Sequence, residues 1–126
     1  MDYLSGGRFE FGIGASWLAQ EWAAAELDFA TRGRRVDEAM AVCRRLWTES
    51  TVTHHGEFFS FDEVVFEPKP VQAGGPPILV GGESDAALRR VLEVGDRRRP
   101  MAQLRPLVTP PLFDAMSSWP RHTRTD

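Results

Sequence analysis

The sequence predicts an α/β fold whose strands run parallel. Residues 8–26 and 76–96 share one order of elements, in which a strand-like run leads through a glycine-containing loop into a helix-like run. Strand–loop–helix units of this kind build parallel sheets. The chain has 126 residues, of which 42% are hydrophobic, and this composition is sufficient for the core of one ordinary domain.

The first unit begins with a short strand. Apolar and polar or small residues alternate over residues 8–14, which is the period of a β-strand, and Gly12 and Gly14 end the pattern. The residues that follow are rich in alanine, leucine and glutamate and predict a short helix over about residues 17–26. The unit is therefore a strand that runs into a glycine loop and then a helix.

The strongest helix signal covers residues 32–49. Its apolar residues recur at spacings of three and four and predict one buried stripe: Val36, Met40, Cys43 and Trp47. Asp28 or Thr31 is expected to cap this helix, because both residue types accept hydrogen bonds from backbone N–H groups at a helix start.

A hairpin and the second unit follow. β-Branched and aromatic residues on both sides of Gly56 predict a hairpin that turns near this glycine. Residues 76–82 form a short apolar run that ends in two glycines, which is typical of a parallel strand covered on both faces. A helix with Ser84 as its N-cap is expected next. Residues 97–126 are rich in arginine and proline without a period, and predict a poorly ordered tail.

The loop GIGASW, residues 12–17, could be a dinucleotide-binding fingerprint. However, Trp17 occupies the position of the third glycine, and the acidic residues at the expected distance, Asp37 and Glu38, lie within a predicted helix. A (β/α)₈ barrel fits better, because its loops at the carboxyl ends of the strands form the site and can hold phosphate. Tight turns without any ligand remain the alternative reading of these glycines.

Four segments in this order resemble the luciferase-like monooxygenase family: residues 4–22, 32–50, 54–72 and 76–96. The resemblance implies a partial (β/α)₈ TIM barrel with an inserted β-hairpin. Residues 1–96 would be the barrel fragment, and residues 97–126 a divergent tail. A complete barrel of this kind needs about 250 residues, so a truncated barrel is expected.

The resemblance also implies a cofactor, either FMN or coenzyme F420, that carries hydride or activates oxygen for a small organic substrate. It places the following residues beside the ring, the ribityl chain and the phosphate: Ala15, Ser16, Gln20, Gly81, Gly82 and Ser84. Trp17 is a further candidate, since an indole can wall a planar ring. One branch of the family has a proton-accepting glutamate where this chain has Trp17, so the catalytic residues stay unassigned.

The other reactive side chains are expected to be structural. His54 and His55 should point to opposite faces of a solvated hairpin, and no carboxylates stand at ligand spacing around them, so no metal site is predicted. Cys43 is expected to be a buried, unreactive thiol. Asp62 and Glu63 are expected to be solvated.

The charge and hydropathy of the chain exclude several partners. A net charge of −3 gives no reason to expect nucleic acid, and the basic run at residues 97–99 is expected to be solvated. No apolar run approaches the roughly 20 residues that a membrane span needs. A cytoplasmic location without membrane association is expected.

The sequence therefore predicts a flavin- or F420-dependent oxidoreductase or monooxygenase that is truncated and inactive alone. The alternative is a noncatalytic fragment that associates through open strand edges with a complementary chain or with a second copy of itself. A small phosphate-ligand binding module that uses only the two glycine loops is a third reading.

Overall fold

The computed structural model describes residues 1–82, 84–93 and 95–99, with the backbone alone for the last three. The elements in chain order are helix α1 (Asp2–Ser5), strand β1 (Phe11–Ile13), helix α2 (Ala19–Ala24), a 3₁₀ turn (Phe29–Thr31), helix α3 (Arg32–Thr48), strands β2 (Val52–His55) and β3 (Ser60–Val64), strand β4 (Ile78–Gly81), helix α4 (Asp85–Glu93) and strand β5 (Arg97–Arg99).

The main sheet is parallel, with the strand order β1-β4-β5. Phe11 lies opposite Ile78 and Ile13 opposite Val80, and β5 pairs with the other edge of β4. Both predicted strand–loop–helix units and their parallel pairing are thus confirmed. Over the described residues the sheet has three strands and does not close into a barrel.

The hydrophobic core lies between this sheet and helix α3. Ile78 and Val80 of β4 are fully buried with Met40 of α3, and the partly buried Phe11 and Trp47 pack around them. The rings of Phe11 and Trp47 meet edge to face with their centroids 5.9 Å apart. The predicted stripe of α3 is therefore the face that the helix buries, as its 3.6-residue period requires.

Two local predictions were wrong. Asp28 caps the 3₁₀ turn and not α3, because its Oδ1 accepts a hydrogen bond from the Ala30 N–H at 2.9 Å. Thr31 stands at the N-cap position of α3, but its side chain makes no capping hydrogen bond. At Arg97–Arg99, where the sequence predicted the start of an irregular tail, the backbone forms strand β5. The remainder of that prediction, residues 100–126, lies outside the described residues.

The hairpin β2–β3 turns at Gly56 as predicted, where the Gly56 N–H donates to the Phe59 carbonyl at 2.9 Å.

The two histidines of the hairpin differ in their exposure to solvent. His55 is exposed and contacts Ser60 and Asp62, as expected for a solvated hairpin. The prediction was wrong for His54, whose side chain is 19% exposed and whose Nε2 lies 3.0 Å from Glu38 Oε1 of α3. The His54 ring is therefore mostly buried, in contact with a carboxylate that lies 16 positions earlier in the chain.

Cys43 lies half-buried against the core cluster, and burial raises the pKa of its thiol. Since the thiolate is the reactive form, we expect alkylation by iodoacetamide at pH 7.5 to be markedly slower in the folded chain than in the chain unfolded in urea. Mass spectrometry over time measures the difference. Equal rates in the two states would contradict the buried-thiol interpretation.

Candidate cofactor site

The loops after β1 and β4 meet at one cavity of about 300 Å³. The two strands are parallel neighbours in register, so their carboxyl ends lie side by side and the following loops share an edge of the sheet. Five of the seven predicted site residues line this cavity: Ala15, Ser16, Gly81, Gly82 and Ser84. The fold thus brings together two loops that are more than 60 residues apart in the sequence.

The first loop is held by Ser16. This residue has a left-handed backbone with φ 58°, and its hydroxyl donates to Glu21 Oε2 at 2.9 Å and accepts from the Leu18 N–H at 3.2 Å. Trp17 and Gln20 follow this turn and do not line the cavity. The Trp17 side chain is 55% exposed.

The second loop requires its glycines. Gly82 has φ +117°, and a Cβ placed there would lie 3.1 Å from the Ala87 Cβ. A Cβ on Gly81 would lie 3.3 Å from the carbonyl oxygen of Ile13 in the neighbouring strand. Ser84 is the N-cap of α4, as predicted, because its Oγ accepts from the Ala87 N–H at 3.2 Å. Glycine therefore serves both close packing and backbone exposure at this end of the sheet.

The 3₁₀ turn, the start of α3 and one turn of α4 form the rest of the lining, which sequence reasoning missed. Its residues include Ala30, Arg32, Gly33 and Arg90. The Arg90 side chain is 8% exposed and forms a bidentate pair with Asp37, in which its Nη2 lies 3.1 Å from Oδ2. A signal for this wall existed, because Arg90 stands three residues after Ala87 and therefore on the buried stripe of its helix.

The lining suits the anionic end of a ligand. Over the described part of the chain, the charged residues that line the cavity are both arginines, and no group of histidine, cysteine, aspartate or glutamate side chains could hold a metal ion. A volume of about 300 Å³ is at the lower limit for small-molecule sites, which suits a phosphate and part of its chain better than a complete tricyclic ring.

No described helix is long and apolar enough to cross a membrane.

Comparison with known proteins identifies the class of protein. The model of the family described as luciferase-like monooxygenase matches residues 1–105. An uncharacterized protein of Mycobacterium tuberculosis is 40% identical over 87 residues, which cover 69% of this chain and 30% of that protein. The FMNH(2)-dependent dimethylsulfone monooxygenase of Pseudomonas putida is 31% identical over 99 residues, which cover 76% of this chain and 27% of that protein.

A solved structure agrees. The crystal structure of the monooxygenase RslO1 from Streptomyces bottropensis superimposes with a TM-score of 0.69 at 27% identity, over 99% of this chain and 40% of that chain. The chain therefore belongs to the luciferase-like monooxygenase family, and the resemblance seen in the sequence is confirmed. It spans roughly 30% of the length of the curated relatives it matches.

Proposed function

We propose that this chain forms part of a flavin- or F420-dependent oxidoreductase that acts on a small organic substrate, and that the cavity receives the phosphate-bearing end of the cofactor. One observation carries the proposal: two glycine loops at the carboxyl ends of adjacent parallel strands line the same open cavity, together with two arginines. Phosphates commonly bind at this end of such sheets. Two relatives are named FMNH(2)-dependent, which favours reduced FMN over F420.

The residues of this chain would bind and orient the cofactor. Gly81 and Gly82 allow the backbone to approach a phosphate closely, and α4 presents its N-terminal N–H groups beside them. The exposed indole of Trp17 offers a flat apolar surface for a ring outside the cavity. The bound cofactor supplies the hydride or oxygen chemistry. Among the described residues, the lining holds no carboxylate or histidine that could act as an acid or base, so catalytic residues are assigned to none of them.

The second candidate is a noncatalytic chain that associates with another chain. Strand β1 stands at the edge of the sheet, and its outer side has no strand partner among the described residues. An unpaired parallel edge can accept a strand from a complementary chain or from a second copy. This candidate predicts association without cofactor binding.

Titration with FMN and with F420, followed by fluorescence and combined with size-exclusion chromatography, separates the two candidates. We expect saturable binding of one cofactor by the purified chain. Failure to bind either cofactor, together with elution as an oligomer, would favour the noncatalytic candidate.

A matched pair of glycine variants places the binding at the cavity. Gly82 and Gly74 both have positive φ, but only Gly82 lines the cavity, and a Cβ on Gly74 meets nothing within 4 Å. Alanine at either position should strain the backbone by about 1–3 kcal/mol, and at Gly82 its Cβ would in addition crowd the Ala87 Cβ at 3.1 Å, so binding is compared only after both variants are shown to be folded. We expect Gly82→Ala to weaken cofactor binding and Gly74→Ala to leave it unchanged. Equal effects on binding would contradict the assignment of this cavity.

A further inference from the structure

The two arginines of the cavity differ in how their charges are compensated. Arg90 donates through Nε and Nη2 to the two carboxylate oxygens of Asp37, and through Nη2 to the Gly33 carbonyl at 3.3 Å. The pair of the buried Arg90 and the partly exposed Asp37 is neutral as a unit. It forms a closed part of the wall and brings no net charge to the cavity.

Arg32 is held by contacts that leave its charge uncompensated. Its Nη1 donates to the Phe29 carbonyl at 3.0 Å, and its guanidinium carbon lies 3.9 Å from the centroid of the Phe29 ring. Within the described ranges, no carboxylate lies at ion-pair distance from it. Because arginine has five N–H donors, a guanidinium fixed in this way keeps donors for a ligand.

The position of Arg32 in its helix also opposes the helix dipole. It is the first residue of α3, where the helix dipole is positive, and the first turn contains no acidic residue. A cation at this end of a helix opposes the dipole, and a residue that breaks a local rule beside a cavity is commonly one that serves binding. The Asp28 carboxylate caps the 3₁₀ turn that leads into α3, so the charge that an anion in the cavity would compensate is that of the Arg32 guanidinium.

We propose that Arg32 binds the phosphate group of the cofactor and makes the cavity select phosphorylated over unphosphorylated flavin. This inference rests on the proposed function above. The glycines and Ser84 offer hydrogen bonds but no charge, so Arg32 supplies the cation that a phosphate needs.

The test compares Arg32→Gln with Arg34→Gln. Arg34 lies on the same helix turn, loses the same charge, and pairs with Glu57 on the exposed surface away from the cavity. Binding of FMN and of riboflavin to the full chain is measured by fluorescence. We expect Arg32→Gln to weaken FMN binding about tenfold or more, the effect of losing a hydrogen bond between charged groups. Riboflavin binding should stay unchanged in both variants, and FMN binding should stay unchanged in Arg34→Gln.

The proposal would be overturned if Arg32→Gln bound FMN as tightly as the wild type does. It would also be overturned if the substitution weakened riboflavin binding as much as FMN binding. A second measurement uses the wild-type chain and inorganic phosphate, so it needs neither a flavin nor a variant that folds. Inorganic phosphate added to the wild-type chain should shift the Arg32 Nε–Hε signal in nuclear magnetic resonance spectra and leave that of Arg34 unmoved. A shift at Arg32 without FMN binding would support the anion site while contradicting the proposed function. No shift at Arg32 would overturn the anion site itself.

Discussion

Replacement of Ile78 by alanine is expected to lower the free energy of unfolding by about 2–5 kcal/mol. Ile78 is 0% exposed and lies at the centre of the core cluster with Met40 and Val80. Its strand pairs with β1 on one side and β5 on the other, so the backbone around it has little freedom to collapse into the space left by the lost methyl groups. The cost should therefore include a cavity as well as the lost burial.

Urea unfolding followed by circular dichroism measures this change, with Leu92→Ala as the control. Leu92 is an aliphatic residue of α4 that is 87% exposed, and its truncation should alter stability by no more than about 0.5 kcal/mol. Similar midpoints for the two variants would show that β4 is not the centre of the core.

Replacement of Glu38 by glutamine is expected to cause the second large loss of stability. The Glu38 carboxylate accepts hydrogen bonds from the Phe58 and Phe59 N–H groups, each at 3.0 Å, and lies 3.0 Å from His54 Nε2. These contacts attach the hairpin turn to α3. Glutamine keeps the shape but replaces one acceptor oxygen with an NH₂ donor, which would face N–H groups that need an acceptor.

The effect of Glu38→Gln should depend on pH. Burial alone would raise the pKa of Glu38, but hydrogen bonds from His54, Phe59 and Phe58 outweigh it and lower the pKa below its ordinary value. The folded state therefore binds this proton less readily than the unfolded chain does. The contribution of the carboxylate to stability is complete above its pKa in the unfolded chain and is lost as the pH falls through its lower pKa in the folded chain.

Unfolding of the wild type and Glu38→Gln at pH 7 and pH 3 tests this expectation. The difference in stability should be large at pH 7 and smaller at pH 3, where a larger share of the carboxylate is protonated. Glu93→Gln is the matched control, since Glu93 is exposed at the end of α4. A difference between wild type and Glu38→Gln that does not change with pH would contradict the role assigned to the carboxylate.

Local patterns were sufficient to predict most of the fold. The alternation over residues 8–14 reports the two-residue period of a strand, the continuous apolar run at Ile78–Gly81 is typical of a strand covered on both faces, and the stripe of α3 reports the helical period. Such signals depend on residues close together in the chain. The glycine loops could be placed at the ends of parallel strands for the same reason.

Contacts between distant segments could not be predicted in this way. The wall made by Arg32 and Arg90 depends on the pairing of Arg90 of α4 with Asp37 of α3, and His54 is withdrawn from solvent by a carboxylate on another element. Trp17 ends the predicted loop and Gln20 follows in the predicted helix, yet both fall outside the cavity after the left-handed turn at Ser16. The backbone conformation of one residue and the contacts between distant residues depend on the whole fold, which local patterns in a single sequence do not reveal.

We propose that the cavity between the ends of β1 and β4 receives the phosphate-bearing part of a flavin. Titration of the ¹⁵N-labelled chain with FMN, followed by amide chemical shifts, tests it most directly. The predicted result is a set of saturable shifts centred on Ala15, Ser16, Gly81 and Gly82. Saturable shifts centred instead on the hairpin, or no shifts at all, would contradict it.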